Sequence, residues 1–261
     1  MKLNKLHLVS GVALAAIAVS AVTPAFAAEE VGGQTNSQGT ITFSEDGDGG
    51  EEGGGGGIID PVDPENPDIE EPGGGGNGGG DMEGPLTIDF VSGIDFGNRK
   101  ISGSTQKYYA KYNGSVNSDG DTVYLPTFVQ VTDNRGKNDG WKLEVSNTQF
   151  VDADTNEELA GAVLTLGSDN QVFTQNDNGA SSKVAAKGNI KLDGQGQDQT
   201  IVTPATDKGM GVNSIAFGTE EYGTATDTNS AVTLEVPGKA KKNEDATYVS
   251  ELTWTLSQTE V

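Results

Sequence analysis

From residue 85 to the C-terminus, short stretches in which apolar and polar residues alternate recur between turn-forming residues. Side chains two residues apart in a strand point to the same face, so this alternation predicts half-buried β-strands. No stretch repeats its apolar residues at the helical period of about 3.6 residues over three turns. Many short strands separated by turns predict an all-β fold, a single antiparallel β-sandwich-like domain over residues 85–261. The predicted strands cover residues 86–90, 107–112, 127–132, 141–145, 162–166, 214–218, 231–236 and 252–256.

Two other regions are dominated by polar residues and glycine. Residues 28–84 hold 15 acidic residues, 19 glycines and no basic residue, which leaves too little apolar surface to offset the entropy of ordering. This segment is predicted to be a disordered Gly/Pro-rich acidic tether, so deleting residues 45–84 is expected to leave stability unchanged. Within it, residues 39–43 (GTITF) alternate like a strand and could pair onto the folded domain. The Gly/Gln/Asn-rich residues 174–198 predict long surface loops.

The triplet Trp-x-Leu occurs twice, as Trp141-Lys142-Leu143 and Trp254-Thr255-Leu256, and it contains both tryptophans of the chain. In a strand, Trp141 shares its face with Leu143, and Trp254 shares its face with Leu256. Each triplet therefore predicts a half-buried strand with a large apolar anchor, since burying a Trp removes about 200 Å² from water. Tryptophan also stacks on sugar rings, so a glycan-binding platform is the alternative to a structural role for these four residues.

Residues 1–27 carry the features of a secretory signal peptide. Lys2 and Lys5 precede an apolar stretch at residues 12–19, and Ala25-Phe26-Ala27 supplies the small-x-small cleavage pattern. The apolar stretch is shorter than the ~20 residues of a membrane helix, and no later stretch approaches that length. The C-terminus has no LPxTG-like sorting signal and no hydrophobic tail. The mature protein is therefore expected to be secreted, without a covalent anchor and without a membrane span.

The composition of the mature chain excludes several kinds of chemistry. The single histidine, His7, leaves with the signal peptide, and the chain has no cysteine. Without these residues there is no Ser-His-Asp triad, no Cys-His pair and no conventional zinc site. We therefore expect no enzyme activity, no cofactor and no metal site, although carboxylate-pair chemistry of the glycosidase type stays open. Residues 117–121 and 152–158 resemble the start of a calcium loop but lack the Gly and Glu of an EF-hand, so ordinary turns are favoured over calcium binding.

The charge of the chain limits its partners. Removing Lys2 and Lys5 with the signal peptide changes the net charge from −23 to −25. Nucleic acids and anionic lipids are both recognised through Lys and Arg contacts to phosphate, so a chain this acidic is expected to bind neither.

The two triplets, in this order and with their flanking sequences, resemble the WxL domain of Gram-positive surface proteins. The matching stretches are PLTIDFVSGIDFG (85–97), PTFVQVTDNRGKNDGWKLEVS (126–146) and TYVSELTWTLSQTEV (247–261). The resemblance implies non-covalent attachment to the cell wall through peptidoglycan, at the surface of a Gram-positive bacterium. It also implies other WxL proteins and a membrane-anchored companion protein as partners. An adhesin or scaffold role, in a surface complex held at the wall through that companion, is the alternative.

Overall fold

The structure is a computed structural model that describes residues 58–65, 68–70, 72, 84–176 and 182–258. These residues belong to one compact unit. Apart from a 3₁₀ turn at Ser168–Asn170, their regular structure is entirely β, and none of them forms a helix able to cross a membrane. The strands are β1 (Leu86–Val91), β2 (Gln106–Lys111), β3 (Asn113–Val116), β4 (Thr122–Leu125), β5 (Thr127–Asp133), β6 (Trp141–Asn147), β7 (Val151–Asp152), β8 (Val163–Leu166), β9 (Phe173–Asn176), β10 (Ile190–Leu192), β11 (Gln199–Val202), β12 (Gly211–Phe217), β13 (Thr228–Val236), β14 (Tyr248–Val249) and β15 (Leu252–Gln258).

The strands form three larger sheets and two strand pairs. The first sheet has the order β1-β5-β12-β9, the second β10-β8-β13-β2, and the third β11-β6-β15. The strand pairs are β14-β7 and β3-β4. Every pairing between these strands is antiparallel, so the predicted all-β antiparallel class is confirmed.

One apolar cluster joins the three larger sheets. Phe217 comes from the first sheet, Leu164 and Val232 from the second, and Trp141 and Leu143 from the third. All five side chains are buried. Side chains of three sheets therefore meet in a common core, and the third sheet is the one that carries both Trp-x-Leu triplets.

Each of the eight predicted strands is present, with ends that differ by no more than three residues. The loops predicted for residues 174–198 are wrong in part. Within this stretch β9 pairs with β12, and β10 pairs with β8. Ile190 and Leu192 of β10 are buried while Lys191 is exposed, and a three-residue alternation is too short to separate from background in the sequence.

Residues 58–65 and 68–70, which we call the docked turn, pack against the β-domain. An antiparallel bridge between Ile59 and Asp68 closes the turn. Its apolar side chains, Ile58, Val62 and Ile69, pack on a second cluster that contains Phe90, Val123, Leu125, Phe128 and Ala216. This docking differs from the disordered tether predicted for that stretch, because three spaced apolar side chains provide burial that the count of glycine and acidic residues conceals. The signal peptide and the predicted strand at residues 39–43 lie outside the described residues.

Polar contacts also hold the docked turn. The amide of Ile59 donates to the side-chain oxygen of the fully buried Gln130 at 2.8 Å. Asp60 is buried as well, and its carboxylate accepts the backbone N–H of Val62 at 2.8 Å and the hydroxyl of Tyr222 at 2.7 Å. Burial, followed by this hydrogen bond, raises the pKa of Tyr222. These buried polar groups at the docked turn are therefore paired, as burial in an apolar surrounding requires.

Candidate functional site

The two Trp-x-Leu triplets lie side by side on adjacent antiparallel strands of the third sheet. Leu143 of β6 pairs directly with Leu256 of β15, and Val145 pairs with Trp254. Residues directly opposite one another on antiparallel strands share a face of the sheet. Both triplets therefore direct their Trp and Leu side chains toward the same core, so two motifs that are distant in sequence form one structural unit.

Trp141 lies inside the core. Its side chain is fully buried, and its Nε1–H donates to the carbonyl oxygen of Gly209 at 3.0 Å. Gly209 has a φ of 82°, and a Cβ at this position would lie 2.6 Å from the indole nitrogen, so the contact requires glycine. Leu143 is equally buried. Neither side chain of the first triplet is accessible to a ligand at the surface.

A buried ion pair holds the chain just before Trp141. The guanidinium of Arg135 donates from Nε to Oδ1 of Asp133 and from Nη2 to Oδ2, each at 2.8 Å. Nη2 also donates to the carbonyl oxygen of Gly140 at 2.9 Å. Gly140 has a φ of 72° and a Cβ there would lie 2.6 Å from the backbone of Ala205. The sequence alone assigns these residues no role, because an Asp-x-Arg pair in a turn does not reveal that both side chains are buried.

The second triplet has a more open environment. Trp254 and Leu256 are half-buried against the core, and the ring centroids of Trp254 and Phe217 lie 6.5 Å apart with their planes tilted by 39°. β15 is a terminal strand of its sheet. In the described part of the chain, no strand therefore lies beside Trp254 and Leu256 on the edge away from β6. The two triplets therefore differ in accessibility although their sequences match.

The opposite face of β6 and β15 is polar. Lys142 lies with its Nζ 2.6 Å from Oε1 of Glu144, and the hydroxyl of Thr200 donates to the same oxygen at 3.1 Å. The Lys142 hydrogen bond is the main cause that lowers the pKa of Glu144. Thr253 and Thr255 are exposed on the same side. These strands place no aromatic ring on the outer face, so that face does not provide a platform for sugar stacking.

The sequence model of one protein family, described as WxL domain surface cell wall-binding, matches residues 30–259. The chain belongs to this family. The matched span contains both triplets and every strand of the fold, and it also contains most of the segment predicted as a tether, including the docked turn. No curated protein and no solved structure matches the chain.

The surface of the WxL protein carries a shallow cleft beside β2. Its volume is about 250 Å³, and it is lined by Gly97, Asn98, Arg99, Lys111, Ala225, Thr226, Asp227 and Thr228. The Nζ of Lys111 lies 2.7 Å from Oδ2 of Asp95, and this hydrogen bond is the largest cause that lowers the pKa of Asp95. The Arg99 guanidinium lies 5.8 Å from the centroid of the Tyr108 ring. Arg99, Lys111, Asp227 and two threonines therefore line the cleft, and the Lys111 ammonium is paired with Asp95 at its rim.

The turn at Asp152, whose sequence resembles the start of a calcium loop, is closed by the protein's own donors. Asp152 accepts the backbone N–H of Asp154 at 3.0 Å and the side-chain amide of Asn243 at 2.9 Å. The Asn243 hydrogen bond and then that of Asp154 lower the pKa of Asp152 to about 2. Within the described ranges, no three His, Cys, Asp or Glu side chains are placed to hold a metal ion. The geometry is that of an ordinary Asp turn.

Proposed function

We propose that this WxL protein attaches non-covalently to the cell wall and that peptidoglycan is the component it binds. The observation that carries the proposal is membership of a surface cell wall-binding family over residues 30–259. A signal peptide at residues 1–27 would export the chain to the surface of a Gram-positive cell. The protein would act by binding, without catalysis.

The charge of the chain supports peptidoglycan over the anionic wall polymers. Residues 85–261 hold 24 acidic and 14 basic residues, and the mature chain has a net charge of −25. Teichoic acids are polyanions, so their electrostatic interaction with this protein is repulsive. Peptidoglycan offers neutral sugars together with amines and carboxylates on its stem peptides, which polar protein groups can bind through charge-assisted hydrogen bonds.

We place the wall contact at the cleft beside β2. Trp141 and Leu143 of the first triplet are buried, which supports a structural role for them and a wall contact through surface groups. In the cleft, Lys111 and Asp227 supply a cation and a carboxylate, which match the opposite charges of a stem peptide. Tyr109, two residues before Lys111 on β2, is exposed like Lys111 and would share the face of the strand with it.

A sedimentation assay with the mature chain and purified sacculi tests the proposal. The wild-type protein should bind sacculi both before and after removal of teichoic acids. The double variant Lys111→Ala/Asp227→Ala should bind roughly tenfold more weakly, equivalent to about 1.4 kcal/mol. Lys191→Ala, which changes the exposed residue of β10, is the control and should bind like wild type. Equal binding by both variants would remove the cleft from the proposal, and release of soluble sugar would indicate an enzyme.

The alternative function is that of an adhesin or scaffold component held at the wall through a membrane-anchored companion protein. The edge of β15, which is terminal among the described strands, favours this alternative, because a terminal strand can accept a strand from another protein. The same sacculi discriminate the two functions. Binding by the purified chain alone supports direct attachment, whereas binding that requires an added companion supports the scaffold.

A further inference from the structure

The docked turn is closed in part by its own hydrogen bonds. The amide of Ile69 donates to the carbonyl oxygen of Ile58 at 3.3 Å. Oδ1 of Asp60 accepts the backbone N–H of Val62 at 2.8 Å and that of Asp63 at 3.2 Å. These bonds join residues of the turn to one another, so the turn can form them whichever copy of the β-domain it docks on.

The β-domain receives the turn beside β3, in the manner of an added strand. The amide of Glu70 donates to the carbonyl oxygen of Val116 at 2.8 Å, and the hydroxyl of Ser115 donates to the carbonyl oxygen of Glu70 at 2.6 Å. Ile69 forms an antiparallel bridge with Asn117. Strand addition is a general mode of peptide recognition, in which backbone hydrogen bonds give affinity and side-chain contacts give specificity.

The specific contacts are made on an apolar surface that we call the turn groove. Ile58, Val62 and Ile69 of the turn pack against it. At its side, the hydroxyl of Tyr222 donates to Oδ2 of Asp60 at 2.7 Å. The groove thus combines an apolar surface, a hydrogen-bond donor for a carboxylate and a strand edge. Its apolar residues are Phe90, Val123, Leu125, Phe128 and Ala216.

The partners of the turn are distant from it in the sequence. Ser115 lies 45 residues from Glu70, and Tyr222 lies 162 residues from Asp60. The sequence on either side of the turn is glycine-rich, since residues 53–57 are all glycine and residues 73–80 contain seven glycines. Glycine restricts the path of a chain least, so the sequence does not oblige the turn to dock on its own domain.

We propose that the turn groove is a binding site for the docked turn of a second copy of this chain, so that neighbouring copies are linked by exchange of this segment. Exchange of an identical element is a low-cost route to association, because the second copy makes the same contacts as the chain's own turn. The inference concerns contacts between copies and does not depend on the proposed wall-binding function.

The chain's own turn competes with that of the second copy. Thirteen residues separate Glu70 from Gly84, and a connection this short gives the turn a local concentration of about millimolar. In dilute solution the chain's own turn should therefore occupy the groove. Exchange is expected where copies reach a similar concentration, or where one copy has a turn that is unable to dock.

Peptide binding provides the first test. In the mature chain, Ile58→Asp/Ile69→Asp removes two apolar anchors of the turn and leaves the groove residues unchanged. A labelled peptide of residues 57–71 should bind this variant at least about tenfold more tightly than wild type, whose own turn competes. Fluorescence anisotropy measures the binding, and near-UV circular dichroism checks that the variant is folded. Failure of the peptide to bind the folded variant would overturn the proposal.

Two controls show where the peptide binds. Adding Ser115→Ala/Tyr222→Phe to the undocked variant removes two hydrogen bonds of the groove and should weaken peptide binding by about fivefold or more. A peptide that itself carries Ile58→Asp/Ile69→Asp should show no binding. Equal binding in either control would place the peptide outside the turn groove and overturn the proposal.

Disulfide trapping between two chains provides the second test, which leaves the turn able to dock. The hydrogen bond from Glu70 to Val116 flanks the bridge between Ile69 and Asn117. These two residues therefore face each other as a non-hydrogen-bonded pair, whose Cα atoms approach to about 4.5 Å, within disulfide range. The chain has no native cysteine, so each disulfide formed comes from the introduced residues.

One mature chain carries Ile69→Cys and the other carries Asn117→Cys. Mixed at about millimolar concentration in a glutathione redox buffer, they should form the heterodimer in about tenfold or greater excess over both homodimers. Both substitutions in one chain should give an intramolecular disulfide. The control replaces Asn117→Cys with Lys191→Cys, at the exposed residue of β10, and should give only the statistical mixture of dimers. The same statistical mixture from Ile69→Cys and Asn117→Cys would overturn the proposal, whatever either chain does with sacculi.

Discussion

At the scale of single residues, the two tryptophans of the repeated triplet have unequal structural roles. Trp141 is fully buried in the core, and its indole N–H donates a hydrogen bond to the carbonyl oxygen of Gly209. Trp254 is only half-buried. Trp141→Ala should therefore lower the free energy of unfolding by about 3–5 kcal/mol, the usual loss for a buried Trp. Trp254→Ala should lower it by about 1–3 kcal/mol, because less of its surface is buried. Urea unfolding of both variants measures the difference.

Sacculus binding by the same variants separates folding from recognition. If Trp254→Ala unfolds like wild type but no longer binds sacculi, then Trp254 contacts the wall directly and the structural interpretation of the second triplet must be abandoned. A Trp141→Ala variant as stable as wild type would contradict the core position of that ring.

Asp152 gives a pH dependence whose direction is fixed by its hydrogen bonds. Its pKa falls from 3.8 to about 2 on folding, through Asn243 first and then the amide of Asp154. A lowered folded-state pKa contributes stability that is present above about pH 4 and is lost as the pH falls toward 2. Asp152→Asn should therefore show a smaller loss of stability between these pH values than wild type in thermal melts. Asp154→Asn, which removes a charge from the same turn, is the control, and identical acid profiles for Asp152→Asn and wild type would contradict the prediction.

The sequence could predict which side chains share a face but not how deeply each is buried. The two-residue period predicted Trp141 beside Leu143 and Trp254 beside Leu256, and the β6–β15 register places them so. Burial depends on strands that come from elsewhere in the chain. Gly209, which accepts the Trp141 hydrogen bond, is 68 residues away from it, and no local pattern specifies that contact.

At the scale of elements, the docked turn should contribute to stability. Deleting residues 58–70 removes Ile58, Val62 and Ile69 from the second apolar cluster, and each partly buried side chain is worth about 1 kcal/mol. In a domain of this size the melting temperature should fall by roughly 5–10 °C, unlike the unchanged stability expected for a free tether. Deleting residues 73–80 (GGGGNGGG) is the control and should leave the melting temperature within about 2 °C. Equal effects in calorimetry would mean that the turn is only loosely held.

The elements that the sequence did not reveal are those with too few residues to show a period. β7 and β14 have two residues each, and β10 has three. β3 and β4 form a hairpin of four-residue strands. Gly114 and Ser115 in β3 leave too few apolar residues there to show an alternating pattern. β9 and β11, with four residues each, were not predicted either, whereas every strand of six or more residues was predicted to within three residues of its observed bounds. The limit is therefore the length of the alternation, since tertiary pairing stabilises strands that have little signal of their own.

At the scale of the whole molecule, the acidic charge determines how the protein should respond to wall chemistry. The mature net charge of −25 repels teichoic acids, so removing these polyanions from sacculi should leave binding equal or make it stronger. Raising salt from about 50 to about 500 mM should change binding only modestly, because exposed charges are already screened beyond a Debye length of about 10 Å at 0.1 M. Sedimentation of the mature chain with native and stripped sacculi, at both salt concentrations, measures each effect. Binding that disappears with the teichoic acids would refute the charge argument, because an acidic protein would then require the polyanion that should repel it.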